Sequence, residues 1–198
     1  MVVMMMNLRV YLMRVVNLHN NSNLDSYLKR EVELISLGDE DEISQVFHCD
    51  GLLLCISITK TKTSLVVWNP YWGHTRSIEP THKFHIIDMY SHALGYDKSS
   101  KSHKILRFIN FTRPTFDEFK IYDFNSDSWR VLDVTPDWTI RFFHLGVTLE
   151  GNAAYWFATK KYSETYDDYF LVCFDFTRDT FGPFLPLPFH QFLQSQDK

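Results

Sequence analysis

The 198 residues are 45% hydrophobic and 16% aromatic, and 24 acidic side chains stand against 20 basic ones for a formal charge of -4. That much aromatic surface needs burial, and the length suits one domain with a substantial core, which excludes a disordered chain. A mildly acidic balance lacks the basic field that nucleic-acid binding relies on, so nucleic acid is not an expected partner. The apolar start, Met1 to Met6, has no basic leader, and Arg9 and Arg14 interrupt it before it could span a bilayer, so no membrane partner is expected either. Cys49, Cys55 and Cys173 are odd in number and form no C-x-x-C pair, as expected of reduced core residues in a soluble intracellular protein of cytoplasm or nucleus. The sequons at Asn20 and Asn110 matter only in a secreted chain.

In chain order, Leu8 to Leu18 is rich in β-formers and predicts a strand, Asn20 to Asn23 a polar break, and Val32 to Leu37 a second strand. The acidic run Gly38 to Glu42 reads as a solvated loop. A first clear unit follows: strands at Gln45 to His48, Gly51 to Ile58, Ser64 to Asn69 and His74 to Ile78, with turns at Thr59 to Thr63 and Pro70 to Gly73. The second unit opens at Ala93 to Asp97, turns through Lys98 to Ser102, and runs on through His103 to Asn110, Phe119 to Phe124 and Ser128 to Asp133. The third runs Gly146 to Leu149, Ala153 to Thr159, Phe170 to Phe176 and Thr180 to Leu185. Helical periodicity is weak throughout, so the expected class is all-β.

One pattern recurs at intervals of roughly 50 residues, the mark of a modular array. Val67-Trp68-Asn69 leads after six positions to Thr75-Arg76, Ile121-Tyr122-Asp123 to Trp129-Arg130, and Cys173-Phe174-Asp175 to Phe181-Gly182. A strand ends on an aromatic plus Asn or Asp, a polar or Pro/Gly turn follows, and a second strand begins at Thr, Trp or Phe. With about four strands per unit, each unit has the make-up of one propeller blade. Trp68, Asn69, Thr75, Tyr122, Asp123, Trp129, Phe174, Asp175 and Phe181 then read as structural positions. Asn or Asp closes the hairpin through backbone N–H groups, while Trp129 and Phe181 fill the space between blades. On that reading Trp129→Ala costs about 3–5 kcal/mol.

The order of these segments resembles the plant F-box-associated type 1 interaction domain, a kelch-like β-propeller. The residues that carry the likeness are Gln45-Val-Phe-His-Cys-Asp-Gly-Leu-Leu-Leu-Cys55, Leu65-Val-Val-Trp-Asn-Pro70, Ala93-Leu-Gly-Tyr-Asp97 and Ser102 to Arg107. Tyr122 to Asp133, Val134 to Trp138, Phe174 to Thr177, Phe181-Gly-Pro and Leu185-Pro-Leu-Pro-Phe189 continue it. The likeness implies a domain over 8–189, after a leader at 1–7 and before a polar tail at 190–198, forming a partial propeller of about three to four antiparallel blades. Such a domain recruits a protein substrate to an SCF ubiquitin ligase, whose Skp adaptor docks on an F-box. No F-box precedes Leu8, so adaptor docking is in doubt, and the chain reads as a truncated member with uncovered strand edges that favour self-association.

No catalytic or cofactor motif emerges, and the expectation is a non-enzyme without cofactor or metal. His82-x-x-His85-x-x-Asp88, with His74 and His92 nearby, has a spacing a metal could use on a helix, but the segment reads as a loop between blades. His48-Cys49-Asp50 cannot form a dyad by proximity, because adjacent strand residues point to opposite faces; Cys49 reads as a core residue before an Asp50-Gly51 turn. Pro183, Pro186 and Pro188 read as an apolar stretch leaving a strand. Two alternatives to the interaction module stand: a glycan-binding kelch-type module using exposed aromatics such as Trp72, Trp138 or Trp156, and a non-functional remnant.

Overall fold

The computed structural model describes residues 2–6, 9–20, 23–33, 42–58, 63–80, 90–112, 115–140, 147–149, 151–161 and 169–187. The chain divides into two compact units, Met1–Asp88 and Met89–Lys198. Every strand pairing in both is antiparallel.

The first unit holds two sheets. Strands β1 (Val2–Met6), β2 (Arg9–Asn20) and β3 (Asn23–Glu33) form one in that order. Asn20 pairs with Asn23 across the polar break, so the second strand begins there, earlier than Val32. The rest of the Val32 to Leu37 candidate and all but Glu42 of the acidic run lie outside the described residues, as does the 190–198 tail. The second sheet is the meander β4 (Ile43–Cys49), β5 (Leu52–Ile58), β6 (Thr63–Asn69) and β7 (His74–Ile78). Asp50 and Gly51, with φ of 46° and 82°, join β4 to β5 in a two-residue turn; both positions are left-handed, which Asp-Gly tolerates and which matches the strand twist. Val10 and Leu12 of β2 pack with Ile43, Leu53, Cys55 and Trp68, so the two sheets share one core.

The second unit repeats the meander as β8 (Ser91–Asp97), β9 (Ser102–Thr112), β10 (Thr115–Asp123) and β11 (Ser128–Val131). A six-stranded sheet follows: β12 (Trp138–Ile140), β13 (Val147–Leu149), β14 (Ala153–Lys160), β15 (Tyr169–Asp175), β16 (Thr180–Phe181) and β17 (Leu185–Pro186). The three-residue β12 escapes periodicity altogether. Alternation decides the layering: on β9 and β10, Leu106, Phe108, Phe119 and Ile121 face Ala154, Trp156, Val172 and Phe174 of β14 and β15 in one apolar core. Gly95 lets β8 approach that partner sheet, because a Cβ there would sit 2.0 Å from the Phe176 ring. A backbone bond from Tyr96 N to Gly151 O (2.6 Å) ties the two sheets together at one end, while Phe176 N to Asn152 O (2.9 Å) extends the β14–β15 ladder by one pair. The architecture is therefore all-β, in four-strand antiparallel units of kelch-like propeller type.

Candidate functional site

The recurring pattern is a hairpin rule. Trp68 pairs with Thr75 and Asn69 with His74; Tyr122 pairs with Trp129 and Asp123 with Ser128; Phe174 pairs with Phe181 and Asp175 with Thr180. Each hairpin thus has a four-residue loop. Asn69 Oδ1 accepts from Tyr71 N (3.0 Å) and Trp72 N (3.2 Å), Asp123 Oδ1 from Asn125 N (2.8 Å), and Asp175 Oδ1 from Thr177 N (2.8 Å) and Arg178 N (3.2 Å). A short acceptor at this position satisfies the N–H groups that the bend strips from the ladder. The last loop residue is left-handed in each case: Gly73 (φ 68°), Asp127 (51°) and Asp179 (54°).

The same rule exposes a copy that the sequence reading passed over. Tyr96 pairs with His103 and Asp97 with Ser102, Asp97 Oδ1 accepts from Ser99 N (2.8 Å), and Lys101 closes the loop at φ 54°. Tyr96-Asp97 had the right aromatic–acid signature and spacing. His103 at the return position, in place of a large apolar residue or Thr, concealed it.

The repeat side chains have unequal fates. Trp68, Tyr122 and Phe174 are buried. Phe181 lies within 4.9–6.3 Å of Phe108, Phe119, Trp138, Trp156 and Phe174, between the two sheets of the second unit. Trp129 is half-buried on the end strand β11 and leans on Tyr122, with centroids 5.3 Å apart, while Thr75 is exposed.

Two of the loop-closing acids also carry bonds. Tyr122 Oη donates to Asp127 Oδ1. Asp179 receives Arg130 and, at 2.9 Å, the buried Lys104 Nζ, which also reaches Asp97 Oδ2 at 2.8 Å and Phe176 O at 3.0 Å. Burial disfavours both charges, yet the mutual bonds prevail: Lys104 is held above the ordinary lysine range, and bonds from Lys104, Ser99 and Ser100 hold the Asp97 carboxyl well below the ordinary carboxylate range. This cluster pins one hairpin end of β8–β9 to that of β15–β16. It is a structural clamp.

With the backbone rule common to all the loops, their side chains can be compared position by position. The second and third loop residues are Ser99-Ser100, Asn125-Ser126 and Thr177-Arg178 in three copies, but Tyr71-Trp72 in the β6–β7 hairpin. Tyr71 and Trp72 are 71% and 75% exposed, the highest of any large apolar side chain among the described residues. Beside them lies a cavity of about 540 Å³ lined by Leu12, Val46, His48, Gly51, Leu53, Pro70 and Tyr71. Exposed aromatics on a rigid turn beside an apolar hollow have the make-up of a binding hot spot.

The other candidates resolve as follows. Trp138 and Trp156 are 4% and 1% exposed, which corrects the expectation that they are available to a glycan; only Trp72 of that trio is exposed. His82, His85 and Asp88 lie outside the described residues, and His74 and His92 stand on β7 and β8. Burial, aided by the Arg107 charge, pushes His92 down to about 3, so its imidazole is neutral. Arg107 stacks on the Tyr90 ring at 3.7 Å. Burial raises the Cys49 and Cys55 thiols to about 12, further helped at Cys49 by Asp50, and raises Cys173 as well; none is poised as a thiolate nucleophile. No helix among the described residues is long and apolar enough to cross a membrane.

Residues 1–197 match the F-box associated beta propeller domain. The chain belongs to this family. Among its relatives in Arabidopsis thaliana, an F-box protein is 64% identical over 209 residues, covering 100% of this chain and 53% of the relative. A putative F-box protein is 59% identical, covering 95% and 49%, and an F-box/kelch-repeat protein is 50% identical, covering 98% and 51%. The chain therefore spans about half the length of the curated relatives it matches. As an F-box-associated domain, it is a protein–protein interaction module.

Proposed function

We propose that this chain is the recognition domain of an F-box-type ubiquitin-ligase receptor, working in cytoplasm or nucleus, and that it holds its protein substrate on the β6–β7 hairpin tip. The observation that carries the reading is the contrast between equivalent loops. One backbone solution recurs, and only the Pro70-Tyr71-Trp72-Gly73 copy puts two aromatics into solvent. Burying a pair of such rings against a partner removes a few hundred Å² of apolar surface from water, enough to anchor a protein contact. The repeat acids are absorbed by turn closure and the Lys104 clamp, which leaves the binding role to loops carried on a rigid scaffold.

The test is quantitative affinity purification with mass spectrometry from plant extract, comparing wild type with Tyr71→Ser/Trp72→Ser and with a control, Asn125→Ala/Ser126→Ala, at the equivalent loop positions. The double aromatic variant is expected to lose specific partners at an unchanged melting temperature, and the control to keep them. Equal recovery by all three proteins would remove the tip from the interface.

A further inference from the structure

One face of the sheet β8–β11 supplies the apolar core of the second unit, and the opposite face carries a row of basic side chains. His92 of β8 pairs with Arg107 of β9, and Arg107 pairs with Lys120 of β10, so the three stand side by side on that face. All are buried, at 2%, 4% and 6% exposure. Cations directly across neighbouring strands repel, and a buried charge is costly unless it is paired. Among the described residues of β8, β9 and β10, alternation puts a single acid on this face, Glu118. Its Oε2 holds Lys120 Nζ at 3.0 Å, and its Oε1 accepts from Tyr90 Oη at 3.3 Å. Arg107 has the Tyr90 ring at 3.7 Å and the field of Glu118, but its Nε and Nη1 are buried and donate to no group. Lys104, three residues earlier on β9 and just as buried, shows the contrast. Two carboxylates meet it, from Asp97 and Asp179, and they hold it above the ordinary lysine range. Arg107 is pushed below the ordinary arginine range, because burial outweighs the help from Tyr90 and Glu118.

We propose that the Arg107 guanidinium is the floor of a binding site for a phosphate-type oxyanion, bordered by Tyr90, Glu118 and Lys120. Arg107 and Lys120 against Glu118 leave one positive charge for such a ligand to neutralise. A guanidinium with open donors takes a tetrahedral oxyanion through charge-assisted hydrogen bonds. Tyr90 and Glu118 are half-buried and bring the cluster to the surface, where the ion enters. Free phosphate and the phosphoryl group of a larger molecule share this chemistry. The strands involved are not those of the β6–β7 tip, so this site is separate from the one proposed for the protein substrate.

Calorimetric titration and thermal melting of the full chain test the proposal, using sodium phosphate or O-phosphoserine against sodium chloride at matched ionic strength. Wild type is expected to bind one phosphate and to gain roughly 3 °C or more in melting temperature at tenfold excess over Kd, levelling off thereafter. The plateau separates a site from general salting-out, which keeps rising with concentration. Tighter binding of O-phosphoserine assigns the phosphoryl group of a larger ligand, and tighter binding of phosphate a free ion. Arg107→Met should abolish the saturable gain, and Arg178→Met, at an exposed arginine, should keep it. Should Arg107→Met fail to fold, Arg107→Lys decides, since it keeps the charge but loses the planar fork and should weaken phosphate about tenfold. If phosphate and chloride act alike on wild type, or if the Arg107 variants bind phosphate as wild type does, the proposal is overturned.

Discussion

Gly73, Lys101, Asp127 and Asp179 do one backbone job with different side chains, which makes them a clean test of conformational strain. A Cβ at Gly73 would meet nothing within 4 Å, so Gly73→Ala carries the cost of a left-handed φ alone, about 1 kcal/mol. Lys101→Gly should gain up to about 1 kcal/mol by removing the same strain, less the entropy that glycine adds to the unfolded chain. Urea midpoints at constant m-value measure both. Asp97 tests the clamp. Asn69 shows that an amide oxygen closes the same turn, so Asp97→Asn keeps the cap and removes the charge. A carboxyl held low in the folded state contributes stability that is full above the ordinary carboxylate pKa and is lost as the pH falls below it. Wild type should therefore lose melting temperature more steeply below about pH 4 than Asp97→Asn does, with the variant about 1–3 kcal/mol less stable at neutral pH. Parallel melting curves across that range would contradict the clamp.

Among the elements, the hairpins were the most legible. The strand limits of β5, β7 and β15 match the sequence reading to within a residue, because the turn residues Asp50-Gly51, Pro70 to Gly73 and Thr177 to Asp179 bound them locally. β12, the early start of β3 and the Tyr96-Asp97 copy were not legible. A three-residue strand has no period to detect, β3 is fixed by its pairing with β2, and His103 replaces the cue expected at the return position. Side-chain depth was also hidden, since register puts a return residue opposite its partner without saying what covers it. Trp129 and Phe181 are equivalent in sequence and both are half-buried, but Phe181 packs against five rings of the core while Trp129 leans on Tyr122 at an end strand. The expected loss for Trp129→Ala accordingly falls to about 1–2 kcal/mol, while Phe181→Ala should cost about 3–4 kcal/mol. Gly95→Ala, which drives a methyl into the Phe176 ring, should cost about 1–3 kcal/mol or more. Chemical denaturation of the three variants ranks them.

At the scale of the whole molecule, the sequence disclosed the scaffold far better than the site. Repeats announce themselves by similarity, whereas the binding candidate is the place where similarity fails: Tyr71-Trp72 stands where the other copies have Ser, Asn, Thr or Arg. Trp72 could be named from sequence as an exposed aromatic, but so were Trp138 and Trp156, which the core encloses. Exposure is a property of the packed chain, and composition alone could not separate the three. The central claim is that the repeat positions build the family's propeller sheets and that one divergent hairpin does the binding. Hydrogen–deuterium exchange of the full chain, free and bound to its captured partner, tests this most directly. Protection should rise over 69–78 and stay unchanged in the equivalent loops 98–101, 124–127 and 176–179. Protection at those polar loops, with none at 69–78, would contradict it.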